Sequence, residues 1–164
     1  MKKTLLTLFA AVTVLVASAQ IPKGTILVGA SSSLGFTSTS YDGVSDKETE
    51  IDLSVSAGYF LMDNLVVGPA LAYSSYKFGD NDGSVTAFGL FGRYYIQGKI
   101  FAGAGFLSVK PEGGSSSTAI PLEVGYAAFI TDNIAIEPAL NYIIGDGYST
   151  FGLGVGFNLY LNRK

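Results

Sequence analysis

The sequence predicts an all-β chain closing as an eight-stranded antiparallel up-and-down barrel. Three observations predict it. Bulky apolar side chains recur at every second position through most of the chain. The segments that do this run over about 24–36, 50–60, 64–77, 85–96, 99–109, 117–129, 133–144 and 148–161. A strand sends successive side chains to opposite faces, so each segment has one bulky face and one small or polar face. The links between segments alternate between tight turns and longer polar stretches, and composition agrees with a wall of strands. Of 164 residues only 14% are charged and 21 are glycine, against about 25% charged in ordinary soluble domains.

The first nineteen residues stand apart. Lys2 and Lys3 precede an apolar run from Leu5 to Ala17, and Ala17-Ser18-Ala19 is a small-x-small site before Gln20. That pattern is a secretory signal. The 13-residue run is too short for a membrane helix, which needs about 20 residues. Cleavage is expected to leave 164 − 19 = 145 residues, 20–164, as one barrel domain. Loss of two lysines takes the net charge from −3 to −5.

The second segment alternates cleanly from Ile51 to Tyr59, with Asp52, Ser54, Ser56 and Gly58 on the small face. In the third, Leu65, Val67, Pro69, Leu71 and Tyr73 oppose Val66, Gly68, Ala70, Ala72 and Ser74. The fourth carries Arg93 on its small face. The fifth, Lys99 to Val109, alternates poorly, and its facing stays open. The sixth sets Thr118, Ile120, Leu122, Val124 and Tyr126 against Ala119, Pro121, Glu123, Gly125 and Ala127. The seventh carries Glu137 on its small face. The eighth sets Phe151, Leu153, Val155, Phe157, Leu159 and Leu161 against Gly152, Gly154, Gly156, Asn158 and Tyr160. Pro69, Pro121 and Pro138 interrupt strands that a closed barrel pairs on both sides, so a bulge is expected at each.

Leu61 to Asn64, Gln97-Gly98 and Thr131 to Asn133 read as tight turns of Asx and glycine chemistry. Tyr41 to Lys47, Phe78 to Ser84, Lys110 to Ser117 and Gly145 to Ser149 read as longer polar links. Residues 59–73 (YFLMDNLVVGPALAY) and 128–142 (AFITDNIAIEPALNY) are an internal repeat, identical at seven of fifteen positions. The repeat pairs two hairpins half a barrel apart.

Alternation alone does not say which face is outside. Size does: eight strands enclose a lumen only just wide enough for side chains, which suits glycine, alanine and serine but not the bulky faces. Charge agrees. Asp52, Arg93, Glu123 and Glu137 all fall on small faces, and the opposite faces of those strands are free of charge. The expected arrangement is therefore a transmembrane barrel, apolar side toward lipid, each segment meeting the 9–11 residues or so that a spanning strand needs. Tyr59, Tyr94, Tyr126 and Phe129 would form one interfacial aromatic girdle; Tyr73, Phe78, Tyr142 and Tyr148 would form the other.

The signal pattern, the eight segments, the hairpin GYFLMDNLVVGPALAY and the terminal strand FGLGVGF together resemble the small outer-membrane β-barrels of the OmpA/OmpX type. The likeness covers residues 20–164 and speaks to architecture more than to activity. It implies a monomer in a Gram-negative outer membrane, in contact with lipid and lipopolysaccharide and handled by the barrel-insertion machinery during assembly. Members commonly end on an aromatic residue that this machinery reads. Here Asn162-Arg163-Lys164 follow Leu161, so Phe157 or Tyr160 would serve.

The chain has no cysteine and no histidine. That removes thiolate chemistry, disulfides and the commonest general base and metal ligand. Barrel enzymes of this membrane rely on histidine, so no enzyme, cofactor or metal site is expected. Asp80-Asn81-Asp82-Gly83 begins like a calcium loop, but Phe91 stands where the loop's final glutamate belongs. The acidic balance disfavours nucleic acid, which needs a basic face. The acidic outer links could meet divalent cations bridging lipopolysaccharide, or simply keep the rim solvated.

The candidate site is a lumen charge network of structural character. Arg93 lies four residues before Gln97, and Glu137 four residues after Asn133. The fourth and seventh strands are expected to face each other across the ring. An Arg93–Glu137 ion pair should fill the lumen, with Glu123 and Asp52 completing it through tyrosine or serine partners. The functional expectation is a structural or surface-interaction barrel. The alternatives are a narrow porin-like channel and a secreted, lipocalin-like soluble barrel.

Overall fold

Alternation at period two is realised as strand along the whole wall. The computed structural model describes residues 20–33, 49–78, 81–146 and 148–163; the expected signal, residues 1–19, lies outside them. The strands are β1 (Ile26–Ser33), β2 (Thr49–Met62), β3 (Leu65–Phe78), β4 (Asn81–Ile96), β5 (Ile100–Pro111), β6 (Ser117–Tyr126), β7 (Ala128–Phe129), β8 (Ile134–Gly145) and β9 (Tyr148–Leu161). Their order is β6-β5-β4-β3-β2-β1-β9-β8-β7, and pairing of β6 with β8 closes the ring. β6 and β7 are one barrel strand broken at Ala127, whose N–H donates to the Lys99 carbonyl at 2.6 Å. The wall is thus an eight-stranded antiparallel barrel. A strand of 14 residues, such as β2, β3 or β9, rises about 35 Å at about 3.3 Å per residue and about 40° tilt. That exceeds the roughly 25 Å apolar band of a membrane barrel.

The bulky faces point outward. Phe151, Leu90 and Leu153 are 67%, 63% and 62% exposed. Among described side chains, Lys110 at the loop end of β5 is the one charged residue on the outward strand faces. Tyr59, Tyr94 and Tyr126 are exposed near the short turns, as are Tyr73 and Tyr142 near the outer links. Phe129 departs from the expected girdle: it turns inward and packs on the Tyr160 ring, centroids 5.0 Å apart. The side chains of Phe78 and Tyr148 lie outside the described residues.

The facing of β5 is now fixed. Phe101, Gly103, Gly105 and Leu107 turn toward the lumen; Ile100, Ala102, Ala104 and Phe106 turn out. Its two phenylalanines have opposite parity, and glycine and alanine share the rest. Bulk therefore could not separate the faces.

The expected bulges at the prolines are absent. Register runs unchanged past each one, and the ladder is instead interrupted on a single side. Pro69 keeps its pairing with Leu90, while the β2–β3 ladder skips from Ser56↔Ala70 to Tyr59↔Val67. Pro121 pairs with Ile143, while β5–β6 skips from Ala104↔Leu122 to Leu107↔Ala119. Pro138 pairs with Val155, while the ladder toward β6 and β7 skips from Gly125↔Ala139 to Ala128↔Ile136. A strand residue aims its N–H at only one neighbour, so a missing donor costs one side and needs no extra residue. Glycine lines these breaks. A Cβ on Gly68 would lie 1.9 Å from the Ala57 carbonyl oxygen, and one on Gly125 would lie 2.7 Å from that of Pro138. The register shift that does occur lies between Phe60 and Met62, at the tight turn.

Two of the longer links are shorter than their polarity suggested. The β3–β4 ladder continues to Phe78↔Asn81, and β8–β9 continues to Gly145↔Tyr148. The backbone stays paired through these polar stretches, so side-chain polarity alone did not mark a loop. The tight turns follow their chemistry. Gln97 and Gly98 both have positive φ, 54° and 63°, the backbone of a type I′ hairpin. Thr131 Oγ1 accepts the Asn133 and Ile134 N–H groups at 3.3 and 3.0 Å.

Candidate functional site

The lumen is built in layers, starting at the short-turn end. Ile21, Leu27, Phe60, Val66, Tyr95, Phe101, Ala127, Ala135 and Tyr160 form one buried apolar cluster there. The segment before β1 completes it. Ile21 N–H donates to Asn64 Oδ1 at 2.8 Å, and Asn64 N–H donates back to the Ile21 carbonyl at 2.9 Å. Lys23 N–H donates to Asp63 Oδ1 at 2.8 Å. Asn64 takes a left-handed φ of 65°, which asparagine tolerates better than most residues. The repeated Asp-Asn turn thus pins the chain entry and seats Ile21 as a stopper.

The ionic layer sits on this plug. Arg93 Nε and Nη2 donate to Glu123 Oε1 and Oε2 at 2.7 and 2.9 Å, a two-pronged pair. Arg93 Nη1 donates to Glu137 Oε2 at 2.7 Å and to the Tyr95 hydroxyl at 3.1 Å. Tyr160 donates its hydroxyl to Glu137 Oε1. The guanidinium also lies over the Phe101 ring, 4.3 Å from its centroid. One arginine therefore holds two carboxylates, and Glu137 is only 2% exposed.

Position along the sheet explains the contact. Arg93 pairs with Gly103, and Gly103 pairs with Glu123. The glycine between them leaves the space that the ion pair fills: a Cβ there would lie 2.5 Å from Glu123 Oε1. β4 and β8 are not opposite; they are separated by β5 and β6. Arg93 reaches Glu137 obliquely, and the strand directly across from β4 is β9.

The structure brings Arg93, Glu123 and Glu137 together. Asp52 stands further toward the outer end, where Ser74 Oγ donates to its Oδ1. Tyr95, Tyr160, Phe60, Phe101 and Ile21 are essential parts of the site that the sequence reading missed. One signal was available: Tyr160 is a bulky residue on an otherwise glycine-rich face.

The lumen is not filled from end to end. Above the ionic layer lies a cavity of about 380 Å³, with Arg93, Glu123 and Glu137 in its lining. Ser54, Ser56, Ser74 and Asn158 line one side; Phe91, Leu107, Pro121 and Ile143 line the other. Small residues on β1 and β9 create this space. Among described residues no group of histidine, cysteine or carboxylate side chains is placed to hold a metal.

No protein-family model and no curated protein matches the sequence. Solved structures do match. The N-terminal β-barrel domain of Pseudomonas aeruginosa OprF aligns with a TM-score of 0.55 and 16% identity, over 85% of this chain and 98% of that one. Yersinia pestis outer-membrane protein Ail in a phospholipid nanodisc aligns at 0.57 and 14%, over 85% and 100%. Neisserial surface protein A aligns at 0.54 and 16%, over 82% and 95%. At such identities the likeness is one of fold. The chain has the closed eight-stranded antiparallel barrel fold that these small outer-membrane proteins share. The OmpA/OmpX-type resemblance read from the hairpin and terminal strand therefore holds at the level of architecture.

Proposed function

We propose that the protein is an integral outer-membrane barrel of structural or surface-interaction role, exported by a signal cleaved after Ala19, and that it does not conduct. The observation that carries this reading is the pairing of a bulky, nearly charge-free outer wall with a lumen stoppered by Ile21, Phe60, Tyr95 and Tyr160. The outer wall suits lipid. The stopper residues are fully buried at the short-turn end. The histidine-free composition supports a role without catalysis, and lipid and lipopolysaccharide are the contacts such a wall and rim would make.

Two measurements test it. Membrane-fractionated protein should migrate on a detergent gel at different positions before and after boiling, as closed barrels do. In planar bilayers it should carry no current. A second reading, a narrow channel for small solutes, is favoured by the 380 Å³ cavity in the outer part of the lumen. Steady single-channel conductance from the unmodified protein would establish that reading in place of the first.

A further inference from the structure

We propose that Gln20 is a covalent modification site: once freed by signal cleavage, its α-amine closes on its own side-chain amide and the mature chain begins with a pyroglutamyl lactam. This rests on the export reading above. In the step, the α-nitrogen attacks Cδ and the N–Cδ bond forms. The bond from Cδ to the amide nitrogen breaks, the α-nitrogen gives up a proton, and ammonia leaves. No oxidant, reductant or co-substrate is needed.

The structure supplies the setting. Gln20 is exposed, and its side chain bonds to none of the described residues. Its amide is therefore free to fold back. The next residue is the opposite case. Ile21 is fully buried, with its N–H given to Asn64 Oδ1 and its carbonyl taken by the Asn64 N–H. Cyclisation leaves all of those bonds in place, because the nitrogen of residue 21 stays an amide. It also removes the terminal positive charge from the residue beside the apolar stopper.

Trimming by one residue would do the reverse. Loss of Gln20 would turn the Ile21 nitrogen into an ammonium at the edge of the buried cluster, where an ionised group is poorly tolerated. A lactam has no free amine, so aminopeptidases have nothing to grip. The modification thus protects the residue that closes the lumen.

The test uses the full-length chain, with its own signal, recovered fresh from the membranes of the cell that makes it. Intact mass and the mass of the N-terminal peptide are read for the wild type and for Gln20→Asn. The proposal expects a wild-type chain that starts at residue 20, is lighter by one ammonia at that residue, and resists stepwise N-terminal sequencing until pyroglutamyl peptidase is added. Gln20→Asn should start at the same residue with no loss, because asparagine is a methylene too short to close the ring. A wild-type chain that starts at Gln20 with full mass and a free amine overturns the proposal alone. A chain that keeps residues 1–19, or starts elsewhere, overturns the export reading and the proposal with it.

Discussion

Tyr95 and Tyr160 meet hydroxyl to hydroxyl at 3.0 Å in the plug at the short-turn end of the lumen, from strands that stand directly across the ring. Each is anchored in the same way. The Tyr95 N–H donates to the Asn64 carbonyl at 2.8 Å, and the Tyr160 N–H donates to the Asn133 carbonyl at 2.7 Å. Asn64 and Asn133 are equivalent positions of the internal repeat, so the sequence repeat is also a pseudo-twofold relation of the plug. The two hydroxyls differ in what else they touch: Tyr160 also donates to Glu137, while Tyr95 accepts from Arg93.

That difference predicts unequal costs for the two phenylalanine variants. Tyr160→Phe removes the neutral donor from a buried carboxylate, and a hydrogen bond to a charged group is worth about 1.5–3 kcal/mol. Tyr95→Phe leaves Arg93 with its three carboxylate contacts, and about 1 kcal/mol is expected. Urea unfolding in lipid vesicles should rank Tyr160→Phe as the less stable. Equal losses would show that Glu137 does not depend on the Tyr160 hydroxyl.

Arg93→Met should be the most damaging single change in the lumen. It leaves Glu123 and Glu137 facing each other with no cation, and breaking a buried pair costs about 3–5 kcal/mol. The unfolding midpoint measured at neutral pH checks this. An Arg93→Met barrel as stable as wild type at neutral pH would mean that the three charges are separately solvated.

Gly103 tests whether the ion pair needs the gap beneath it. Gly103→Ala places a methyl 2.5 Å from Glu123 Oε1 and 2.9 Å from its Cγ, so Glu123 must swing out of its two-pronged geometry. The loss should shrink when Glu123 is already alanine. A coupling of about 0.5–3 kcal/mol between the two sites is the expected outcome of a double-mutant cycle. Additive effects would place the cost of Gly103→Ala in the backbone instead.

Much of this was readable from the chain. Alternation and residue size placed Leu153, Val155 and Phe157 outward and Arg93, Glu123 and Glu137 inward, because period two and lumen width are local facts. Three things were not local. The plug depends on which strand ends lie beside the N-terminal segment, so Ile21 carried no signal of its own. Phe129 looked like a girdle residue because a phenylalanine beside a turn can face either way; its ring is claimed by Tyr160 and by Arg163, whose guanidinium lies 3.6 Å from its centroid. The prolines looked like bulges because sequence shows the missing donor but not the neighbour it would have served.

The outward wall gives the sharpest test of the whole arrangement. Leu153 sits mid-strand on β9, 62% exposed, between Leu140 of β8 and Ser33 and Ser32 of β1, which pair with its chain neighbourhood. If that surface meets lipid, Leu153→Arg must bring a guanidinium into hydrocarbon, at a cost of about 2–4 kcal/mol near the bilayer midplane. If it met water, the same substitution would replace an exposed leucine by a solvated charge and cost little, within about 0.5 kcal/mol. Folding yield and unfolding midpoint in phosphatidylcholine vesicles separate the two. A large loss for Leu153→Arg in vesicles is the expected result; a barrel that folds without detergent and tolerates the arginine would have its apolar wall facing solvent, and the membrane reading would fail with it.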